Sequence, residues 1–227
     1  SWYLYLKESG IEPTVVTRHW DIPISGPNDC YLPSKNRVTT TENLEHGTII
    51  RAPFSPTFRD KLIGKTDILS VFFRKLLSFL EVISSSRIAA LDGKRTIYET
   101  AEKLMQEQKF DVIIATGEPF ILFYYAAKLS ARFNTPWIGD YRDGWSTNFH
   151  ASGAFSFLTE LFEKQTVKSA SLLTTAAPIF SKQIAELTGR EEDKIPVIFN
   201  GYFEEKFNPE NVVELKPEFS IAHVGTL

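Results

Sequence analysis

From residue 111 onward, short apolar runs alternate with stretches of helical length, and that alternation leaves the chain few folds to choose from. Residues 111–115 carry Val-Ile-Ile, 137–140 read Trp-Ile-Gly-Asp, 171–175 read Ser-Leu-Leu-Thr-Thr, and 195–199 end in Val-Ile-Phe. Between them, 119–133, 155–168 and 178–187 read as helices, the last ended by Gly189. Short apolar strands that each lead into a helix predict a parallel sheet covered on both faces. The expected fold class is α/β, a Rossmann-like, doubly wound, mostly parallel sheet with helices on both faces. Right-handed crossovers then bring every strand's carboxyl end to one edge, where open α/β sheets bind their ligands.

The N-terminal part is less regular. Residues 2–8 read as the end of a helix with Gly10 as its cap, and 12–17 contain the β-rich run Thr-Val-Val-Thr. Residues 18–46 are polar and rich in Pro, Gly and Asn, a long loop of a length that is uncommon without a function. A second strand is predicted at 47–52, irregular chain at 53–66, and a helix around Ile97, Ala101, Leu104 and Met105, whose spacing marks one apolar face. A strand at 219–224 runs into Gly225-Thr226-Leu227. The expected organisation is one domain over 1–212, with 213–227 the linker and first strand of a second. Because the chain starts inside a helical stretch, it is expected to be a piece of a longer protein.

A helix is also predicted at 67–83. Its polar positions, Asp67, Ser70, Arg74, Lys75, Ser78 and Glu81, form a narrow stripe, and the remainder is apolar. That is too little polar surface for an ordinary surface helix. Either the helix is buried beneath the long loops, or it docks on a membrane surface or a partner.

Composition excludes several functions. The 227 residues are 43% apolar and 23% charged, with a net charge of −3 and scattered basic residues, which argues against a nucleic-acid partner. One cysteine, Cys30, leaves no internal disulfide and fits a reducing, cytoplasmic compartment. No apolar run approaches the ~18 residues of a membrane span, and no signal peptide is visible. His19, His46, His150 and His223 lack metal-ligand spacing, so neither metal nor cofactor is expected. Neither a P-loop nor a Gly-x-Ser-x-Gly motif occurs.

Candidate site residues gather at the predicted carboxyl edge. Asp140, Arg142, Asp143 and Trp145 follow the strand at 137–140. Two acids and a guanidinium suit a hydroxyl-rich or phosphorylated ligand, or they form an ion pair that orders the loop. Trp145 is a wall for a sugar ring or a core side chain. Thr116-Gly117-Glu118-Pro119 ends the strand before, where Gly117 permits close backbone approach and Glu118 suits a hydroxyl, or the four make a plain strand-to-helix turn. Asn200-Gly201 is a turn signal that also falls on this edge. His19, just past a strand end, is a further candidate for ligand contact, and His150 a weaker one.

Several of these pieces together resemble the N-terminal domain of GT-B glycosyltransferases of the retaining, family-4 type. They are Gly10-Ile11-Glu12-Pro13-Thr14-Val15-Val16-Thr17, Phe110-Asp111-Val112-Ile113-Ile114-Ala115-Thr116-Gly117-Glu118-Pro119, Pro136-Trp137-Ile138-Gly139-Asp140-Tyr141-Arg142-Asp143-Gly144-Trp145 and Ile198-Phe199-Asn200-Gly201-Tyr202. Ile221 to Leu227 resemble the opening strand and Gly loop of the family's donor domain. The resemblance implies two Rossmann-like domains across a cleft. The N-terminal one binds the acceptor. The other binds a nucleotide-diphosphate sugar, whose sugar is transferred with retention and usually without a metal. It implies a glycan or lipid-linked acceptor in bacterial polysaccharide biosynthesis, and peripheral contact of 67–83 with the inner face of the membrane. Asp140, Arg142 and Asp143 would stand nearest the chemistry, with His19, Gly117, Glu118, Trp145, Asn200 and Gly201 toward substrate. Many members carry a His where Arg142 stands. Two other readings remain: a non-catalytic sugar- or anion-binding α/β module, and a GT-B-like sugar-nucleotide epimerase.

Overall fold

The computed structural model of the chain describes residues 2–84, 93–147 and 156–201. The strand at 219–224, the domain boundary at 213 and His150 lie outside the described residues. The helices are α1 (Trp2–Leu6), α2 (Ile68–Ser84), α3 (Arg95–Glu107), α4 (Ile121–Phe133), α5 (Ser156–Val167) and α6 (Pro178–Thr188). The strands are β1 (Thr14–Arg18), β2 (Thr40–Leu44), β3 (Gly47–Ala52), β4 (Ile113–Gly117), β5 (Trp137–Tyr141) and β6 (Leu172–Thr175). Among the described residues, 3-10 turns at Lys7–Ser9, Pro27–Tyr31, Asp60–Leu62 and Glu192–Lys194 punctuate the loops. α6 begins on Pro178, whose missing N–H costs nothing in a first turn, and ends where Gly189 adopts φ 72°.

The strands form two three-stranded sheets. In the first, β3 is central, with β1 parallel to it (Thr14 opposite Thr48) and β2 antiparallel (Thr41 opposite Ile50). In the second, β5 is central and all three strands are parallel, Ile114 standing opposite Ile138 and Ile138 opposite Leu172. The molecule is therefore α/β with one mixed and one parallel sheet.

Two expectations need correction. Residues 18–46 are not loop throughout, because β2 lies within them. Its Thr-Thr-Glu-Asn-Leu is almost wholly exposed, so it lacks the apolar alternation that marks a half-buried strand; backbone pairing holds it, with side-chain bonds from Arg51 to Glu42 and from Thr48 to Asn43. The strand expected at 195–199 shrinks to one bridge between Thr175 and Val197. Thr175 N–H donates to Pro196 O (3.1 Å) and Ile198 N–H to Thr175 O (2.7 Å); Pro196 has no N–H, and Ile198 and Phe199 are exposed.

The core lies on one face of the second sheet. Ala115, Trp137, Tyr141 and Leu173 point there from the strands and meet Phe123 and Ala126 of α4, Val167 of α5 and Ile184 of α6. The opposite face carries Ile114 and Thr116, both exposed, and Ile138 and Leu172, both half-buried. α3 packs against β1 and β3 and beside α4, where Tyr98 meets the Tyr125 ring at 5.1 Å and Arg132 donates to Glu102 at 2.5 Å. On the other face of the first sheet, Tyr3 of α1 and the loop residues Trp20 and Asp21 lie beside the strands, and the Tyr3 hydroxyl donates to Gly47 O (3.1 Å).

α2 is turned inside out. Ile68 (87% exposed), Leu69 (69%), Phe72 (59%), Phe73, Leu76 and Leu80 face solvent. Half-buried Ser70, Val71, Arg74 and Leu77 turn instead toward α5 and Asp60–Leu62. The long loops do not bury this helix. No helix among the described residues is long and apolar enough to cross a membrane.

Candidate functional site

The carboxyl end of β5 is built as a clamp. Asp140 sits in the strand with its side chain on the face away from the core, yet it is 1% exposed. Thr174, directly opposite on β6, donates to its Oδ1 (2.7 Å), and Arg142 Nε donates to its Oδ2 (2.7 Å). The same guanidinium reaches across to the carbonyl of Ile198 (3.2 Å) and Oδ1 of Asn200 (3.1 Å). Asp140, Arg142 and Asn200 therefore form one network in which an ion pair orders the loop and holds residues 198–200. Both oxygens of Asp140 are engaged, and the group shapes the edge rather than presenting itself to a ligand. Asp143, one residue beyond, is exposed and has no hydrogen bond or ion pair among the described residues.

A second carboxylate supports the loop from below. Glu163 of α5 is buried; Tyr141 donates to its Oε1 (2.9 Å) and the Ser146 N–H to its Oε2 (2.8 Å). Burial pushes the Glu163 carboxyl above its usual range, although the Ser146 and Tyr141 hydrogen bonds pull the other way. Burial likewise pushes the Tyr141 hydroxyl well up, with the neighbouring Glu163 adding to it. Sequence reasoning missed Glu163. The available signal was its position one helical turn before buried Val167, which places it on the inward stripe.

Trp145 belongs to the core. Its ring stacks on Phe120 (5.1 Å, 3° between planes) and meets Phe123 and Phe162 edge-on. Gly117 is needed for the same packing, since a Cβ there would overlap the Phe120 ring. The chain then leaves β4 through two cis peptide bonds, Gly117–Glu118 and Glu118–Pro119, and Glu118 ends exposed. Asn200 and Gly201 are exposed, and a side chain at Gly201 would meet nothing.

Burial raises the Tyr31 hydroxyl; the Arg59 guanidinium pulls it the other way, and the carboxylates of Asp60 and Glu118 add to the rise.

His19 lies in a different setting from the β5 clamp. With Tyr3, Val15, Thr17, Trp20, Asp21, Ile49 and Arg51 it lines an open cavity of about 560 Å³ on the uncovered face of the first sheet. Its buried ring donates Nε2–H to the Val38 carbonyl (2.9 Å), which in the neutral form leaves Nδ1 as an acceptor. Asp21 accepts the N–H groups of Lys35 (2.9 Å) and Asn36 (2.6 Å), and these bonds, Asn36's first, hold its carboxyl below the usual range. Arg51 pairs with Glu42 across the hairpin (2.5 Å). Trp20 is 51% exposed.

Arg18 braces this wall. Its guanidinium lies between the rings of Trp20 (4.2 Å) and Phe54 (3.8 Å) and donates to the carbonyls of Cys30 (2.6 Å), Leu32 (3.1 Å) and His19 (3.3 Å). Burial lowers its pKa from the ordinary arginine value. Sequence reasoning placed His19 just past a strand end but missed Trp20 and Asp21, whose side chains are fixed by contacts distant in sequence or specific to this fold, the Arg18 guanidinium over Trp20 and the Lys35 and Asn36 amides on Asp21.

Among the described residues, no cluster of three His, Cys, Asp or Glu side chains is placed to hold a metal ion. No protein-family model and no curated protein matches the chain.

Proposed function

We propose that this chain is the acceptor-binding part of a GT-B glycosyltransferase of the retaining, family-4 type. In this reading the complete enzyme moves a sugar from a nucleotide-diphosphate sugar to a glycan or lipid-linked acceptor. The observation that carries the reading is the cavity on the first sheet. An indole edge, a tyrosine ring and two aliphatic side chains offer apolar surface to the C–H face of a sugar. Thr17, Asp21, Arg51 and the free nitrogen of His19 offer hydrogen bonds to its hydroxyls. The parallel strands of the second sheet support it further, since their carboxyl ends present Glu118 and Asp143 to the side from which a donor domain would approach.

The roles then divide. Asp140 and Arg142 position the β5 loop, and Asp143 is the carboxylate left to meet hydroxyl groups or to stabilise an oxocarbenium-like sugar. Cations on the donor side would balance the departing diphosphate, so this chain alone is expected to turn over no nucleotide sugar.

The test is a panel of UDP- and GDP-sugars offered to the product of the complete open reading frame, with thermal stabilisation, donor hydrolysis and acceptor binding as readouts. Stabilisation by one donor, with hydrolysis that falls in Asp143→Asn and acceptor glycans held about tenfold more weakly by Trp20→Ala, is the expected result. Glycan binding that depends on Trp20 without any donor response would instead establish a non-catalytic sugar-binding module. The full engagement of Asp140 and Arg142 in structural bonds is what keeps that second reading alive.

A further inference from the structure

We infer that the cavity on the first sheet takes a protonated primary amine, so that the sugar it holds is an amino sugar. The inference rests on the reading of this cavity as the site of the acceptor sugar, and it names that sugar's chemistry. Side chains alternate across an extended chain, so Val15, Thr17, His19 and Asp21 fall on one face of β1 and its continuation. On β3, Ile49 stands opposite Val15 and Arg51 opposite Thr17, and both line the same cavity.

The two groups beyond the end of β1 offer lone pairs. The Val38 carbonyl can only accept, so His19 Nε2 carries the proton of that bond (2.9 Å), and the neutral ring keeps its lone pair at Nδ1. The Asp21 carboxylate is fixed by the Lys35 and Asn36 amides, which favour its charged form. It is half-buried and makes no ion pair among the described residues.

Charge separates an amine from a hydroxyl here. Arg51, the cation that lines the cavity, is bound to Glu42 (2.5 Å) and so is drawn toward β2, on the far side of β3 from β1. Arg18 lies within electrostatic reach of Asp21, but its guanidinium is held between Trp20 and Phe54 and donates to three carbonyls. The cavity thus has a neutralised cation at one end, and a carboxylate with an imidazole lone pair at the other. A hydroxyl brings one donor and no charge. An ammonium group brings three donors, enough to serve Asp21 and His19 Nδ1 together, and its charge strengthens both bonds. A carboxylate or phosphate placed there would face like charge and a lone pair, which excludes an anionic sugar at this end. Exposed Trp20 and the Tyr3 ring then cover the apolar face of the sugar that bears the amine.

The experiment is calorimetric titration of the full chain, at neutral pH and low salt, with trisaccharides of one backbone. They carry an amine, an acetamide or a hydroxyl at the same position of every ring, and a simple diamine is the fourth probe. The amine trisaccharide is expected to bind at least about tenfold more tightly than the other two, with an advantage that shrinks as salt rises. Asp21→Asn should bring it down to their level, whereas Trp20→Ala should weaken all three about tenfold. The salt dependence of wild type tests the charge without a variant, so a loop disturbed by Asp21→Asn does not decide the matter. Equal binding of the three trisaccharides, or an amine preference indifferent to salt, overturns the inference and leaves the sugar reading of the cavity standing. Binding of the diamine, lost in Asp21→Asn, with no trisaccharide bound upholds the amine and overturns the sugar reading. No binding of any probe overturns both.

Discussion

Glu163 puts a carboxylate where the helix pattern asks for an apolar side chain, and its two hydrogen bonds join α5 to the end of β5 and to the loop at Ser146. Its carboxyl is raised in the folded protein by burial. A raised acid holds its proton more tightly folded than unfolded. Its contribution to stability is therefore full below the ordinary carboxylate range and is lost as pH climbs through the raised value. Urea midpoints of Glu163→Gln should thus vary less with pH from just above that range upward than those of wild type. Glu163→Ala leaves the Tyr141 hydroxyl and the Ser146 N–H without partners and opens a void. A loss of about 2–4 kcal/mol is expected by denaturant titration at neutral pH. At this scale the sequence was legible where one residue type has one use, as with Gly189 at a helix end. It was ambiguous for Trp145 and Arg142, because an indole or a guanidinium serves a core or a ligand equally well. Only the Phe120 stack and the Asp140 bond separate the two roles.

Among the elements, those with a strong period emerged from the sequence to within a residue or two. α4, α6, β4, β5 and β6 each carry enough apolar side chains in register to announce themselves. β2 did not, because an edge strand held by backbone bonds needs no apolar face. α2 was visible as a helix but its orientation was not. A helix that is apolar nearly all round fits a buried site and an interface equally, and only its exposed Ile68, Leu69 and Phe72 distinguish them. The turn from β4 into α4 is similarly dictated by packing. Gly117 permits the Phe120 ring to fold back over the end of the strand, where it meets Phe123, Tyr141 and Trp145. Gly117→Ala forces that ring to shift and should cost about 1–3 kcal/mol, read as a lowered melting temperature with weakened near-ultraviolet dichroism from the aromatic cluster.

For the whole molecule, the uneven distribution of core predicts an uneven order of opening. β5 is flanked by strands on both sides, and its Trp137 and Tyr141 lie at the centre of the apolar cluster. β2 has a partner on one side and almost no buried side chain. Amide hydrogens of residues 138–141 should be among the last to exchange and those of 40–44 among the first, with β3 between them. Exchange of 40–44 as slow as that of 138–141 would mean the two sheets open as one unit. The α/β class was legible from alternation alone. The division into two sheets and the open face that carries the His19 cavity were not, because they depend on which strands pair, and apolar runs do not encode their neighbours.

The fork of Arg142 has a mechanical consequence. Residues 198–200 are held by its bonds to the Ile198 carbonyl and the Asn200 side chain, and by the short bridge to Thr175. Any displacement of residues 198–200 has to break the Arg142 fork and the Thr175 bridge before it disturbs the aromatic cluster. The β5 loop and the outgoing chain therefore share one anchor, and a tug on either is felt at Asp140.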